Sequence, residues 1–342
     1  MKKVTIYSLA EELDMTPTMV SRAFNPNAKI AEGKRALVLS TAKKYNFVPN
    51  KFASRLSMKA IKIGIILYYK AEHLKNQMIS GIEDAYNNLK DYKIEYTLKI
   101  ISAKEKTPAE CESDLFSFAD FDGVILSGFS NNAFKPMLDR FAAKNTNIVF
   151  LQSVCEDTNY LFASKHDEIL ASGLAAEIIS DRLSHSDRKN ILLFTGDQNS
   201  SVHKQAKKAF LSACKEHSLN VIDCIDMRDR EEDLSVLSET ALKKHQGEFD
   251  GIYITSGNCV SLCEAIKVQN IKTSLVTFDV FSKLYPYIED KTVCATIFQN
   301  VRVQSKTAFS KLCDFIINKK KIEKTVYTDV LPVFKSTLKL YK

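Results

Sequence analysis

From residue 61 onward the chain alternates short apolar runs with longer stretches whose apolar residues recur every three or four positions. The apolar runs predict strands over 62–67, 96–101, 123–127, 148–152, 190–195, 220–224, 251–255, 274–279 and 293–297. The longer stretches predict helices over 76–89, 133–144, 168–183, 202–217, 258–269 and 301–317. Strand–helix alternation on this scale implies an α/β fold of parallel, doubly wound sheets with helices on both faces. Nine strands suit two such sheets better than one, and a ligand would bind in the crevice beyond their carboxyl ends.

The first 60 residues follow a different pattern. Thr5 is a good N-cap, and Ile6, Leu9, Ala10 and Leu13 follow at the spacing of an amphipathic helix. Asp14-Met15 makes a tight break. Thr16-Pro17 then reads as N-cap and first helical position, where proline gives up only an N–H that has no helical partner. Val20, Ala23 and Phe24 supply the inward face of this second helix. A third runs from about Ala31 to Tyr45, with Val38, Ala42 and Tyr45 facing inward. Two short helices around a tight turn, followed by a third, constitute an all-α helix-turn-helix headpiece. The expected organisation is a headpiece over 1–49, a hinge helix or linker over 50–60, and a two-lobed domain over 61–335. Lobe one is expected at about 61–161 and 294–322, lobe two at about 162–293 and 323–335.

Charge sharpens this division. The net charge of the 342 residues is +7, and residues 1–60 hold 11 Lys or Arg against four Asp or Glu. The remainder carries 37 of each sign, so the whole excess lies in the headpiece. A basic module joined to a neutral domain is the electrostatic footprint of nucleic-acid binding. No apolar run approaches the roughly 20 residues that cross a bilayer, and the start lacks a signal peptide's apolar core. A cytoplasmic location is expected. The eight cysteines are scattered without a CxxC. Cys259 and Cys263, or Cys214 and His217, share helical faces, but two ligands do not make a metal cage. Neither a metal nor a cofactor is expected, and the absence of GxGxxG, GxSxG and HExxH motifs argues against an enzyme.

The second helix presents Thr16, Pro17, Thr18, Ser21 and Arg22 opposite its apolar face, and an Arg there can pair with guanine O6 and N7. The headpiece resembles that of the LacI/GalR family, carried by Thr5, Ile6, Tyr7, Ala10, Val20, Ser21, Arg22, Asn25, Arg35, Ala42, Pro49, Asn50, Ala53 and Leu56. The resemblance implies that Pro17, Thr18 and Arg22 read base edges and that Tyr7, Ser21 and Asn25 lie near the DNA backbone. It further implies that a hinge helix wedges Leu56 into the minor groove. The candidate DNA-contacting set is thus Thr5, Tyr7, Thr16, Pro17, Thr18, Ser21, Arg22, Asn25, Asn50 and Leu56. Three departures stand out: Asp14 replaces the glycine of the turn, Ala31 replaces a Ser/Thr cap, and Pro17 lacks a side-chain donor.

The larger domain looks like the type I periplasmic-binding-protein fold that this family uses to bind effectors and dimerise. By that resemblance Asp279 is the carboxylate that grips sugar hydroxyls, and Gln299 is a polar residue at a lobe crossing. Lys204 lies near a position where sugar binders keep an Arg, and Ala206 fills another such position. Thr255 and Ser256 replace an Asn-Asp pair. His73 and Gln77, after the first strand, reach the cleft from the opposite lobe. The chain ends without leucine heptads, so a homodimer is expected rather than a tetramer. The function implied is a sequence-specific transcription regulator, a repressor of a near-palindromic operator, controlled by a sugar or sugar derivative. Open beside it stand a constitutive DNA-binding regulator with a degenerate sensor or a protein co-regulator, an enzyme on a doubly wound fold, and a transport-type sugar-binding protein.

Overall fold

The structure, a computed structural model, describes residues 4–24, 28–45, 47, 59–69, 72–103, 105–198, 200–228 and 231–342. The described residues up to Ala60 belong to one compact unit, and nearly all of those from Ile61 onward form another. Asn25, Asn50, Leu56 and most of the expected hinge at 50–60 lie outside the described residues.

The first unit holds three helices, α1 (Ile6–Glu12), α2 (Pro17–Ala23) and α3 (Glu32–Lys44). Thr5 and Ser8 cap α1 reciprocally: Ser8 N donates to Thr5 Oγ1 over 3.2 Å, and Thr5 N donates to Ser8 Oγ over 2.7 Å. Thr16 Oγ1 accepts from Met19 N at 3.3 Å, and Pro17 occupies the first turn of α2. Ala31 provides no side-chain cap for α3. Between α1 and α2, Asp14 adopts φ 48°, the left-handed conformation that glycine favours and that Asp tolerates better than most residues. Leu9, Ala10, Val20, Ala23, Val38 and Ala42 form the buried core. Tyr45, expected to face inward, is instead exposed, and its hydroxyl donates to Glu12 Oε1 at 2.8 Å. A phenol at the last turn of a short helix satisfies its polar end better at the rim than in so small a core.

The second unit contains two six-stranded sheets. Sheet one is ordered β11-β5-β4-β3-β1-β2, with β1 (Ile61–Tyr69), β2 (Ile94–Ser102), β3 (Gly123–Ser127), β4 (Asn147–Leu151), β5 (Phe162–His166) and β11 (Thr325–Thr328). Its neighbours all pair in parallel. Sheet two is ordered β12-β10-β9-β8-β6-β7, with β6 (Asn190–Thr195), β7 (Asn220–Asp226), β8 (Gly251–Ile254), β9 (Ser274–Phe278), β10 (Val293–Phe298) and β12 (Leu331–Val333). Only β12 runs antiparallel to its neighbour in this sheet. Both faces of sheet two are packed: Leu192, Phe194, Ile252 and Leu275 belong to one apolar cluster, and Leu193, Tyr253 and Val276 to another. Burial on both faces explains why these strands read as continuous apolar runs.

The chain crosses between the sheets three times: after His166, after Phe298, and between Thr328 and Leu331. The lobe boundaries therefore differ from those read in the sequence. Residues 162–166 and 325–328 join sheet one, and 293–298 joins sheet two. Strand-like patterning marks a strand, but the sheet it enters depends on which neighbours satisfy its backbone. Helix Val301–Asn318 returns to sheet one and packs against helix Glu72–Asn87. Their approach is close at Gly81, where a methyl group would overlap Arg302 O and Ser305 Oγ.

Candidate functional site

Within the first unit, α2 turns Thr16, Thr18, Ser21 and Arg22 to solvent and leaves Pro17 half-buried. On α1, Tyr7 is 74% exposed and Thr5 is exposed while acting as the cap. The stretch before α3 is held by Arg35, whose guanidinium donates to Ala23 O at 3.0 Å and to Ala28 O at 2.7 Å. Arg35 thus ties Ala28 and the end of α2 to α3.

In the second unit, the carboxyl ends of the strands of both sheets meet at a seam. Asp279 follows β9 with φ 68° and is only 2% exposed. The chain grips its backbone on both sides: Asp279 N donates to Ile297 O at 2.8 Å, and Thr296 Oγ1 donates to Asp279 O at 2.5 Å. Gln299 Nε2 donates to Asp279 Oδ2 at 3.0 Å, and Gln299 Oε1 accepts from Gln152 Nε2 of lobe one at 3.1 Å. Gln304 Nε2 donates to Gln299 O at 2.7 Å. The crossing after β10 is therefore built into a relay of amides ending on Asp279.

From lobe one, His73 stacks on Phe281 of lobe two, with ring centroids 4.3 Å apart at 22°. Gln77 Nε2 donates to Val280 O at 3.5 Å. A methyl group at Gly257 would lie 3.4 Å from Asp279 Oδ2 and 3.5 Å from His73 Nε2, so both atoms border the same small space. Ser256 beside it is buried, and its Oγ accepts from Asn258 N at 3.2 Å. Among the described residues, the buried polar atoms along this seam without a hydrogen-bond partner include His73 Nε2, Gln77 Oε1, Thr255 Oγ1 and Asp279 Oδ1, with His166 Nδ1, Glu168 Oε1 and Gln304 Oε1 near them. Buried polar groups are nearly always bonded, so a cluster of orphans marks a place built for something else to occupy. Burial pushes the Asp279 carboxyl up to about 6, against the pull of the Gln299 hydrogen bond and of His166. Burial likewise brings the His73 imidazole down to about 4, which keeps the ring neutral.

His166, at the end of β5, is buried, and its Nε2 lies 2.8 Å from Glu168 Oε2, a second buried acid. Sequence reasoning missed His166, Glu168, Gln152 and Gln304. Gln152 carried a signal, a polar side chain just past an apolar run, where an open α/β sheet puts its ligand contacts. Gln304, in contrast, lies within helix Val301–Asn318, and His166 ends a strand whose polar residues hid it.

Lys204 does not join this group. It lies exposed on helix Ser201–Glu216, beside Lys207, Lys208, Leu211 and Lys215, around a surface depression of about 420 Å³. The helix buries Ala206, Phe210, Ala213 and Cys214 instead, and that phase turns Lys204 outward. Cys259 and Cys263 are both fully buried, and hydrogen bonding to Cys263 and desolvation push the Cys259 thiol up. Among the described residues, no group of three or more His, Cys, Asp or Glu is arranged to hold a metal ion.

Two doubly wound lobes, linked by three crossings and enclosing buried polar groups at their seam, define a cleft-type binding domain. Residues 63–320 match the periplasmic binding protein domain, and the chain belongs to that family. No curated protein sequence matches the chain. Among solved structures it is similar to a periplasmic ribose ABC transporter protein of Conexibacter woesei, at 17% identity and a TM-score of 0.73. That match covers 82% of this chain and 94% of the other. A chain assigned as a LacI transcriptional regulator of Bacteroides fragilis gives 16% identity and a TM-score of 0.72, over 83% of this chain and all of that one. A periplasmic solute-binding protein of Actinobacillus succinogenes with bound D-allose gives 16% and 0.70, over 82% of this chain and all of its own length. At these identities the likeness establishes the fold. No helix among the described residues is long and apolar enough to cross a membrane.

Proposed function

We propose that this protein is a DNA-binding transcription regulator whose interlobe cleft senses a small polyhydroxylated molecule. The observation that carries this reading is a basic three-helix unit joined to a neutral cleft-type domain. In that unit Thr16 and Pro17 open α2, and Arg22 stands exposed on it. The unit serves as a helix-turn-helix headpiece, with α2 in the major groove and Arg22 reading guanine. Two copies of the chain would set two headpieces on a near-palindromic operator. Ligand binding in the cleft would shift the lobes and change operator affinity by a coupling of about 1–3 kcal/mol, acting equally in both directions.

The test is selection of a duplex from random sequence by the full chain, followed by titration at two salt concentrations. A palindromic consensus is expected, with affinity falling steeply as salt rises. Arg22→Ala should cost about 1–3 kcal/mol on that duplex and much less on random DNA. Equal affinity for selected and random duplexes would remove the headpiece reading. A second reading, a regulator that binds DNA constitutively, draws on one observation: side chains of the chain itself span the seam, His73 onto Phe281 and Gln77 to Val280.

A further inference from the structure

We infer that the cleft selects a ligand carrying one ammonium group among its hydroxyls, an amino sugar or amino polyol, over its neutral and anionic counterparts. The inference rests on the reading of the seam as a small-molecule site.

A buried carboxylate is costly unless a charge or a full set of donors meets it. Asp279 Oδ2 receives one amide N–H from Gln299, and Oδ1 receives none. The chargeable group that bears on this carboxyl among the described residues is His166, which is itself bonded to Glu168. His73, the other imidazole bordering the same space, is held neutral by burial. Lys204, at the position where a basic side chain was expected, lies exposed on the outer face of its helix. Among the described residues no Lys or Arg is bonded to Asp279, so its buried carboxyl has no full counter-charge of its own.

Hydrogen-bonding capacity points the same way. Asp279 Oδ1 as carboxylate and Gln77 Oε1 only accept. Thr255 Oγ1 accepts as well as donates, and a neutral His73 Nε2 accepts in one tautomer. An ammonium offers three donors and no acceptor, which matches a set dominated by acceptors. It also supplies the missing counter-charge, in a setting where a charged hydrogen bond is about twice as strong as a neutral one. A neutral sugar brings donors without the charge. A phosphate brings only acceptors and further negative charge, and is rejected by the same groups.

The experiment is calorimetric titration of the full chain near neutral pH with glucosamine, galactosamine and mannosamine, their parent hexoses, and the hexose 6-phosphates. At least one amino sugar should bind about tenfold or more tightly than its parent, a difference of about 1.4 kcal/mol. The phosphates should give no heat. Asp279→Asn, which keeps the shape and removes the charge, should abolish the preference. An independent reading needs no variant. Near pH 6 an ammonium draws a proton off Asp279, so the binding heat should vary with the ionisation enthalpy of the buffer in the sense of proton release. Parent hexoses or phosphates binding as well as the amino sugars would overturn the inference and leave the small-molecule reading standing. So would amino-sugar binding without proton release. Silence from all nine compounds, with no thermal shift, would overturn both.

Discussion

The imidazole of His73 lies stacked on the ring of Phe281, 4.3 Å between centroids, and so pins the first helix of lobe one to the loop after β9 in lobe two. The two residues are more than 200 positions apart, and the contact is one of the direct ties across the seam. Aromatic pairing of this kind contributes about 0.5–1.5 kcal/mol beyond the area it buries. In His73→Ala the lobes should therefore separate more readily, seen as a larger radius of gyration in solution scattering of the ligand-free chain. An unchanged scattering curve would mean that the stack does not hold the seam.

Asp279 and His73 should give stability opposite dependences on pH. Asp279 titrates near 6 in the folded chain against about 3.9 unfolded, so the folded state holds the extra proton between these values. Its contribution is full below about pH 4 and is lost as pH rises through 6, a change of about 3 kcal/mol. His73 titrates near 4 folded against about 6.5 unfolded, so here the unfolded state holds the extra proton and stability rises over the same window. Urea denaturation across pH 4 to 7 should show a curve that rises more with pH in Asp279→Asn than in wild type. The curve of His73→Gln should fall relative to wild type. Parallel curves for all three proteins would contradict both assignments.

Arg35→Ala should loosen the N-terminal unit selectively. Its guanidinium bonds to Ala23 O and Ala28 O are charge-assisted, and such bonds contribute about 1.5–3 kcal/mol each. Hydrogen exchange of α1 to α3 should accelerate about tenfold or more while the amides of β3 and β8 keep their protection. Equal acceleration in both units would show that the effect is not local.

Gly81→Ala should destabilise the second unit by about 1–3 kcal/mol or more, the cost of overpacking a tight contact. The methyl group meets a backbone oxygen, Arg302 O, which cannot turn aside as a side chain can. Helix Val301–Asn318 also carries Gln304, which bonds to Gln299, so ligand binding should weaken together with stability. Calorimetric melting of the full chain reads the first effect. A melting temperature equal to that of wild type would show that the helices separate at no cost.

Several features of the fold were legible in the sequence. The strand at Gly123–Ser127 and the helix start at Glu168 fall where the apolar pattern put them, because a fully buried run and an Asp167 N-cap are local signals. The strand Phe162–His166 escaped notice, since Ser164, Lys165 and His166 interrupt its apolar character. Ser164 is buried because its hydroxyl finds Gln304 O on a helix 140 residues away. The exposure of Lys204 was legible in its own neighbours: Ala206, Phe210, Ala213 and Cys214 mark the buried phase of the helix, and Lys204 is off it.

By itself, the sequence determined the division into a basic helical unit and a neutral α/β domain, the caps that start α1 and α2, and the strand–helix alternation. These are short-range properties, set by backbone preference, apolar period and charge along a few turns of chain. Only the tertiary structure decided which sheet each strand joined and where the three crossings fell. It alone brought His73, Gln77, Gln299 and Asp279 to one seam and left Lys204 exposed on its helix. The reason is physical: a strand's pattern specifies that its faces be buried and its backbone paired, and many partners satisfy that demand. The polar atoms left without partners at the seam exist only once all the others have found theirs.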